Sequence, residues 1–300
     1  SVATVPNPIP PRRFVRPDNS ETLSADETIQ WVSGQILPDG AAVSLPAELV
    51  RFPPTSQRVR PSITTGLAVG NSTVEAVLGG LYETIERDAT MLGWYSTFEP
   101  LGLAVKDDHL AELDQLSELH QRARAKSLSV SLLLVTQDID VPVIAAGVHR
   151  EAEWPQFAAG SAADLDPVAA ARSALAEALQ NWMELRAMGP EAAAAQGGAI
   201  AEYADFPPAA QAFVDPEQTV SVDSLGEPAL SGRAELDAVC DRLSAVDLDA
   251  YAARITTRDV AALGFEAVRV LVPAAQPLFT GDAYFGDRAR QVPASMGFDP

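Results

Sequence analysis

Glu75, Glu83 and Glu86 are the residues of this chain whose type and spacing first suggest chemistry. On a helix winding 100° per residue, Glu83 lies about 80° and Glu86 about 20° from Glu75. Asn71 falls near about −40° if the first turn already winds there, and Arg87 near about 120°. Three carboxylates and an amide therefore share one face. Like charges so placed repel by a few tenths of a kcal/mol each, so the face calls for a neutralising partner. Val74, Leu78, Leu81 and Ile85 make its flank apolar, and Gly79-Gly80 permits close backbone approach despite its helix cost. Hard carboxylate oxygens suit magnesium, usually with nucleotide phosphate completing the shell. Gly66-Leu-Ala-Val-Gly-Asn-Ser72 reads as a small-residue loop whose N–H groups precede a helix, a natural anion site. The same spacing also describes a solvated acidic helix face. It is not a Walker loop, because no Gly-Lys-Ser/Thr follows, and no Glu-x-x-His marks a di-iron bundle.

Composition narrows the classes. The 300 residues hold 41 acidic and 21 basic side chains, for a net charge of −20. That acidity argues against nucleic acid as the main partner. No apolar run approaches the ~20 residues needed to cross a bilayer, so no membrane role is expected. Cys240 is the one cysteine, which excludes an internal disulfide and reads as a small buried hydrophobe. Lys106 and Lys126 are the only lysines, against 19 arginines, a pattern that suits a salt-loving source and that a high-GC codon bias would also produce; a cytoplasmic location is expected. His109, His120 and His149 are scattered and supply no metal set. Neither a Gly-x-Ser-x-Gly nor a Cys–His pairing supports a hydrolase.

Elements must position these residues. Residues 1–20, with five prolines, read as an extended connector, and 21–300 as the folded domain. Residues 22–31 suggest a short helix. Leu37-Pro-Asp-Gly40 marks a turn between two short strands, and 42–50 continues extended. A long helix is expected from about Val74 to Leu92, and an amphipathic one over 107–126. Residues 128–136 and 141–148 read as a strand pair around Asp138–Asp140. Asp166-Pro167 opens a second long helix to about Met188. Residues 190–199 read as a loop or frayed helix, and 233–244 and 246–251 as helix. Residues 254–257 and 267–273 read as strands flanking a short helix over 259–263. The fold class is α+β, with mixed, mostly antiparallel strands and long helices. An internal pseudo-repeat is expected, because a small-residue loop before a Glu-bearing helix occurs at Gly70 and again at Gly160.

Thr65-Gly-Leu-Ala-Val-Gly-Asn-Ser-Thr-Val-Glu-Ala-Val-Leu-Gly-Gly-Leu-Tyr-Glu-Thr-Ile-Glu-Arg-Asp88 resembles the signature of the YcaO family. That signature runs Ser-Asn-Gly, then Gly-Asn-Thr/Ser, Glu-Ala, and Glu-x-x-Glu-Arg eight residues after the first Glu. Looser likeness spans 22–290, through Trp31-Val-Ser-Gly, Val141-Pro-Val-Ile-Ala-Ala146, Asp166 to Gln180, and Asp259 to Pro273. The resemblance implies an enzyme that uses ATP and magnesium to phosphorylate a peptide-bond oxygen. A neighbouring side chain then closes an azoline, or sulfide gives a thioamide. It implies that Asn71, Glu75, Glu83 and Glu86 hold the nucleotide and magnesium, with Glu75, Glu83 and Glu86 as metal ligands, and that Arg87 faces phosphate. The expected partners are a peptide or protein substrate, a ThiF-like or TfuA-like protein, and a second copy in a homodimer.

The sequence departs from the family pattern in three ways. No counterpart of the family's N-terminal Glu-x-x-Glu helix precedes residue 65, so the chain reads as the C-terminal part of the family domain. Thr64-Thr65 stands for the usual Ser-Asn, and the chain closes on Met296-Gly-Phe-Asp-Pro300 in place of a Pro-x-Pro-x-Pro tail. A degenerate, non-enzymatic scaffold or peptide-binding module is the rival expectation. Arg288 and Arg290 are read as phosphate ligands or as members of surface ion pairs.

Overall fold

The computed structural model describes residues 5–18, 28–54, 58–94, 99–104, 114–150, 153–196, 214, 216, 218–225, 230–279 and 283–291. They form two compact units, one of residues 1–97, 138–140 and 230–300, the other of 98–137 and 141–229. Each unit takes chain from both sides of the other, so no single linker marks the boundary in sequence. No described helix is long and apolar enough to cross a membrane.

The first unit holds a five-stranded antiparallel sheet. Its strands are β1 (Trp31–Ile36), β2 (Ala42–Pro46), β3 (Leu67–Gly70), β9 (Tyr251–Arg254) and β10 (Glu266–Leu271), in the order β2-β1-β9-β10-β3. The hairpin expected at Leu37–Gly40 joins β1 to β2, pairing Trp31 with Pro46 and Gln35 with Ala42. Gly66–Ser72, expected as a loop, is instead largely strand. β3 is only four small residues long, and β10 supplies its pairing from far along the chain, Arg269 opposite Leu67 and Glu266 opposite Gly70. Residues 42–50 run extended only to Pro46, then turn once as α1 (Ala47–Val50).

The expected signature helix is α2 (Thr73–Trp94), which packs on β3 and β10. Alternation along β10 sends Val268 and Val270 to the helix side, where Val270 meets Gly80. Leu271 joins Tyr251, Ala253, Leu45 and Val50 in a core on the other side. Ile9 and Phe14 belong to that core, and Pro8 bridges to Ser44. Over its described part the proline-rich stretch, expected as an extended connector, is docked on the core, because burying Ile9 and Phe14 removes apolar surface from water.

The helix α6 (Arg233–Ser244) does not continue over 246–251 as expected. Asp247 turns left-handed at φ 59°, and Leu248 N–H returns to Leu243 O at 2.9 Å, a closing turn that leads into β9. Two short helices, α7 (Arg258–Ala262) and α8 (Asp287–Gln291), complete this unit.

The second unit has a sheet of β4 (Leu101–Ala104), β5 (Ser129–Leu134), β6 (Val143–His149), β7 (Phe157–Ala163) and β8 (Thr219–Ser221), in the order β7-β6-β5-β4-β8. β4 pairs parallel with β8 and the rest are antiparallel. β5 and β6 are the expected strand pair. β7 escapes sequence reading because Phe-Ala-Ala-Gly-Ser-Ala-Ala lacks β-branched residues. The second long helix, α4 (Pro167–Met188), starts at Asp166, whose carboxylate accepts from Val168 N–H. Its Ala170, Ala171, Ala174 and Ala178 meet the sheet around buried Trp182. α3 (Asp114–Arg124) is the described part of the expected 107–126 helix. Residues 125–126 turn off the helix; residues 107–113, with His109, Leu110 and Leu113, lie outside the described residues, as does most of the helix expected over 22–31. Residues 190–196 form α5 (Pro190–Gln196).

The internal echo takes a definite form. In each unit an edge strand leads into a 22-residue helix that folds back on the sheet. In each, a helix carboxylate accepts a strand-side N–H: Glu83 from Gly66 at 3.0 Å, Glu177 from Ser161 at 2.8 Å.

Neighbouring glycines on α2 carry opposite expectations. A Cβ at Gly80 would lie 2.7 Å from Val270 Cγ2 and 2.9 Å from the Gly66 carbonyl, whereas at Gly79 it would meet only Ala68 Cβ at 3.5 Å. Gly80→Ala should therefore destabilise the chain by about 1–3 kcal/mol. Gly79→Ala should stabilise it by about 0.5–1 kcal/mol through helix propensity. Urea denaturation of both variants checks the pair.

Candidate functional site

The start of α2 sets the first part of the site. Ser72 caps the helix: its Oγ accepts from Glu75 N–H at 3.2 Å and its carbonyl from Ala76 N–H at 3.0 Å. Glu75 reaches back in turn. Its Oε2 accepts from Asn71 N–H at 2.8 Å, and both its oxygens accept from Asn71 Nδ2, at 3.1 and 3.0 Å. This is a reciprocal cap shifted by one residue. It leaves Asn71 and Glu75 exposed as one oxygen-rich knot. The Asn71 N–H, one of the loop groups expected to face an anion, is taken by the Glu75 carboxylate.

Glu83 and Glu86 stand further along. Gly66 has φ +85°, and a Cβ there would lie 2.2 Å from the Val270 carbonyl, so only glycine fits. Its N–H donates to Glu83 Oε2, and its carbonyl accepts from Val270 N–H at 2.7 Å. Glu86 is buried, with Oε1 3.6 Å from Nη1 of half-buried Arg87.

The wheel places these carboxylates on one face but ignores the helical rise. Eight residues separate Glu75 from Glu83, about 12 Å along the axis, and three separate Glu83 from Glu86, about 4.5 Å. A single ion cannot take all three. Among the described residues no group of three Asp, Glu, His or Cys side chains converges on a common metal position. The set divides into Asn71 with Glu75 and Glu83 with Glu86. Each pair offers hard oxygen donors of the kind magnesium takes with water and phosphate completing the shell.

On the opposite side of the α2 start, a cleft of about 240 Å3 opens against the sheet. It is lined by Ser33, Gln35, Thr73, Val77, Arg254 and Val268, among others. Arg254 is held by Glu266 at 2.6 and 2.9 Å. That pairing, with the Thr256 hydroxyl, holds the Glu266 carboxyl down at about 2. Cys240 is buried as expected, and burial pushes its thiol up to about 12, far from thiolate chemistry.

Sequence reasoning missed Asp88. On the wheel it sits at about 220°, beside Leu81 at about 240° and Ile85 at about 280°. A carboxylate on an apolar stripe is the signal that was available. Asp88 is 0% exposed. Its Oδ1 accepts from Gln276 N–H and from Arg288 Nη1, both at 2.6 Å, while Oδ2 is buried with no partner among the described residues. Burial pushes the Asp88 carboxyl up, and the Arg288 charge and hydrogen bond oppose that. Arg288 also donates to Asp138. Its role is thus an internal ion pair, not a surface one, whereas Arg290 does form a surface pair, with Asp18. Gln276 closes the following loop: Nε2 donates to the carbonyls of Pro277 and Tyr284, and Oε1 accepts from Gly286 N–H at 2.9 Å. Asp88 thereby anchors the chain's last described segment to the signature helix.

Arg288→Met leaves the Asp88 carboxylate buried and poorly compensated. It should cost about 3–5 kcal/mol of stability in urea denaturation. A loss below about 1 kcal/mol would mean that the pair anchors nothing.

Comparison with known proteins bears on this arrangement. The family model for YcaO cyclodehydratase, ATP- and Mg2+-binding, matches residues 4–276. An uncharacterized protein in the tfuA 3′ region of Rhizobium leguminosarum bv. trifolii is 33% identical over 180 residues, covering 55% of this chain and 42% of that protein. The structure of YcaO from Methanopyrus kandleri, bound with AMPPCP and Mg2+, superposes with a TM-score of 0.68 at 25% identity, over 95% of this chain and 73% of that one. The heterocyclase TruD gives a TM-score of 0.74 at 21% identity, over 99% of this chain and 44% of that one. The chain thus spans less than half the length of the Rhizobium protein and of TruD. With a family model matching most of its length, and a fold shared with solved members, this chain belongs to the YcaO family.

Proposed function

We propose that this chain binds magnesium-ATP and activates a peptide-backbone amide oxygen by phosphorylation, within an enzyme that forms azolines or thioamides. The observation that carries the reading is the pair of oxygen sets on one face of α2, in a chain of this family. Asn71 and Glu75 would hold one magnesium-bearing position, and Glu83 and Glu86 another. The helical rise of about 12 Å between Glu75 and Glu83 requires that division. Arg87, half-buried beside Glu86, would meet phosphate oxygens. Bound magnesium supplies charge neutralisation for the phosphoryl group, the main demand of phosphoryl transfer.

To bind magnesium, Glu83 would release Gly66 N–H and Glu75 would release Asn71 N–H. Gly66 lies just before β3 and Asn71 just past its end, so each freed N–H would need an acceptor of its own, which different phosphate groups of a nucleotide or water could supply. In the reaction, the amide oxygen takes the γ-phosphoryl group and ADP leaves. A nucleophile then adds to the carbonyl carbon, and the C–O bond breaks to release phosphate. A side-chain thiol or hydroxyl gives the azoline; sulfide gives the thioamide. The thioamide branch, with a TfuA-like partner delivering the substrate, gains support from the relative in the tfuA 3′ region.

Binding of magnesium-ATP to the native state should raise unfolding stability by about 2.7 kcal/mol at a hundredfold excess over Kd. Glu75→Gln and Glu86→Gln should abolish that rise without unfolding the chain. A full rise retained in both variants would defeat the reading in favour of a scaffold whose carboxylates serve only the helix.

A further inference from the structure

The cleft beside the α2 start has a different chemistry from the carboxylate face. Strand alternation sends Val32 and Ile36 of β1, with Tyr251 and Ala253 of β9, into the core on one side of the sheet. Ser33 and Gln35 of β1, with Ala252 and Arg254 of β9, therefore point to the other side. There they line the cleft with Thr73, Val77 and Val268. β1 and β9 are interior strands of their sheet. Two hydrogen-bonding side chains in a row on an interior strand, beside a helix, are a departure from core packing. Ser33 and Thr73 are exposed and Gln35 is half-buried, so a ligand reaches them from solvent.

The lining decides what fits. Val77, Ala252 and Val268 make an apolar floor, and Ala252, paired with Gln35 across the sheet, is the small residue that leaves it deep. The Ser33 and Thr73 hydroxyls and the Gln35 amide each donate and accept. The Arg254 charge is already answered: Nε and Nη2 hold Glu266, and Nη1 stands outside that pair. A phosphate would find no unanswered charge here, and an apolar ligand would leave the hydroxyls and the amide unmatched. The volume of about 240 Å3 also falls below the roughly 300–1,000 Å3 of sites that enclose a whole small molecule. A short stretch of peptide meets both conditions, because each of its residues carries one donor and one acceptor. Ser33 and Gln35, two apart on a strand, stand about 6.7 Å from each other, the side-chain repeat of an extended chain.

We propose that this cleft binds an extended, uncharged segment of peptide, its backbone amides held by Ser33, Gln35 and Thr73 and its side chains laid on Val77, Ala252 and Val268. Peptide binding here stands apart from the magnesium-nucleotide reading; that the bound peptide is the substrate rests on it. Thr73 and Val77 lie about 160° and 200° around α2 from Glu75, across a helix about 10 Å wide. The bound segment is then a flank of the substrate, at least about three extended residues from the bond that is phosphorylated.

The test is an NMR titration of the whole chain with an N-acetylated, C-amidated Ala-Ser-Ala-Ser peptide, and with the same peptide N-methylated at every backbone amide. Chemical-shift changes should centre on residues 33–35, 73–77 and 252–254, and the N-methylated peptide should lose them. Gln35→Leu combined with Thr73→Val should weaken binding roughly tenfold or more, while Glu75→Gln should leave it intact. The proposal is overturned if the parent peptide shifts none of these residues at millimolar concentration, if the N-methylated peptide binds as well, or if the double variant binds as the parent chain does. Should the double variant fail to fold, the N-methylated comparison decides alone. Peptide binding without a magnesium-ATP rise in stability keeps the cleft and defeats the nucleotide reading; the rise without peptide binding does the reverse.

Discussion

Gly66 brings the start of β3 against the β10 backbone, Gly80 brings α2 against the Gly66 carbonyl and the Val270 side chain, and the rest of the first unit is indexed to that stack. A Cβ at either position would strike Val270 within 2.7 Å. Because Gly80 lies so close to the Gly66 carbonyl, the turn into β3 falls under the third turn of α2. Glu83 can then accept from Gly66 N–H, which fixes where the strand begins. Asn71 follows from the strand's four-residue length, and with it the knot at Glu75. A bulkier pair at this crossing would lift the helix and separate Glu83 from the strand. The glycines' helix cost, about 1 kcal/mol at Gly80, is therefore the price of registering the carboxylate face against the strand.

Much of this was legible in the sequence where the signal is local. Asp166-Pro167 placed the start of α4 correctly, because a cap and a first-turn proline act within four residues. Leu37–Gly40 gave the β1–β2 hairpin for the same reason. What stayed hidden was set by distant chain. β3 and β7 consist largely of small residues, and only pairing with β10 and β6 makes them strands. The ending of α6 depends on one left-handed residue, Asp247, in a stretch whose composition reads as helix. The two units are woven from discontinuous segments, so composition shows no seam between them.

The site divides along the same line. Angular spacing correctly put Glu75, Glu83 and Glu86 on one side of a helix. It could not say that each would find a different local partner, because that depends on the strand brought beside the helix. Rise along the axis was available from the same arithmetic and separates Glu75 from the other two. Asp88 was equally available, as a charge lying on the Leu81–Ile85 stripe. Its partner was not: Arg288 is 200 residues away.

The chain's acidity also conceals an inverse interior. Net charge is −20, yet the first unit buries Arg60 and Arg269 outright and most of Arg288, against the carboxylates of Glu86 and Asp88. The excess of acid is a property of the surface. Arginine is the cation suited to the inside, since its planar fork can hold two carbonyls at once, as Arg269 holds Ile63 and Thr64, and it stays charged when desolvated. Such a residue makes a rigid strut only while its charge is answered. Asp88 answers Arg288 within the fold, and the strut anchors the chain's last described segment to α2. Arg269 is answered in part, by Glu83, the same carboxylate that holds Gly66. Any event that draws Glu83 toward a cation on the α2 face therefore withdraws counter-charge from Arg269. Glu83 thus serves both the carboxylate face and buried Arg269, and it also holds the strand-start glycine.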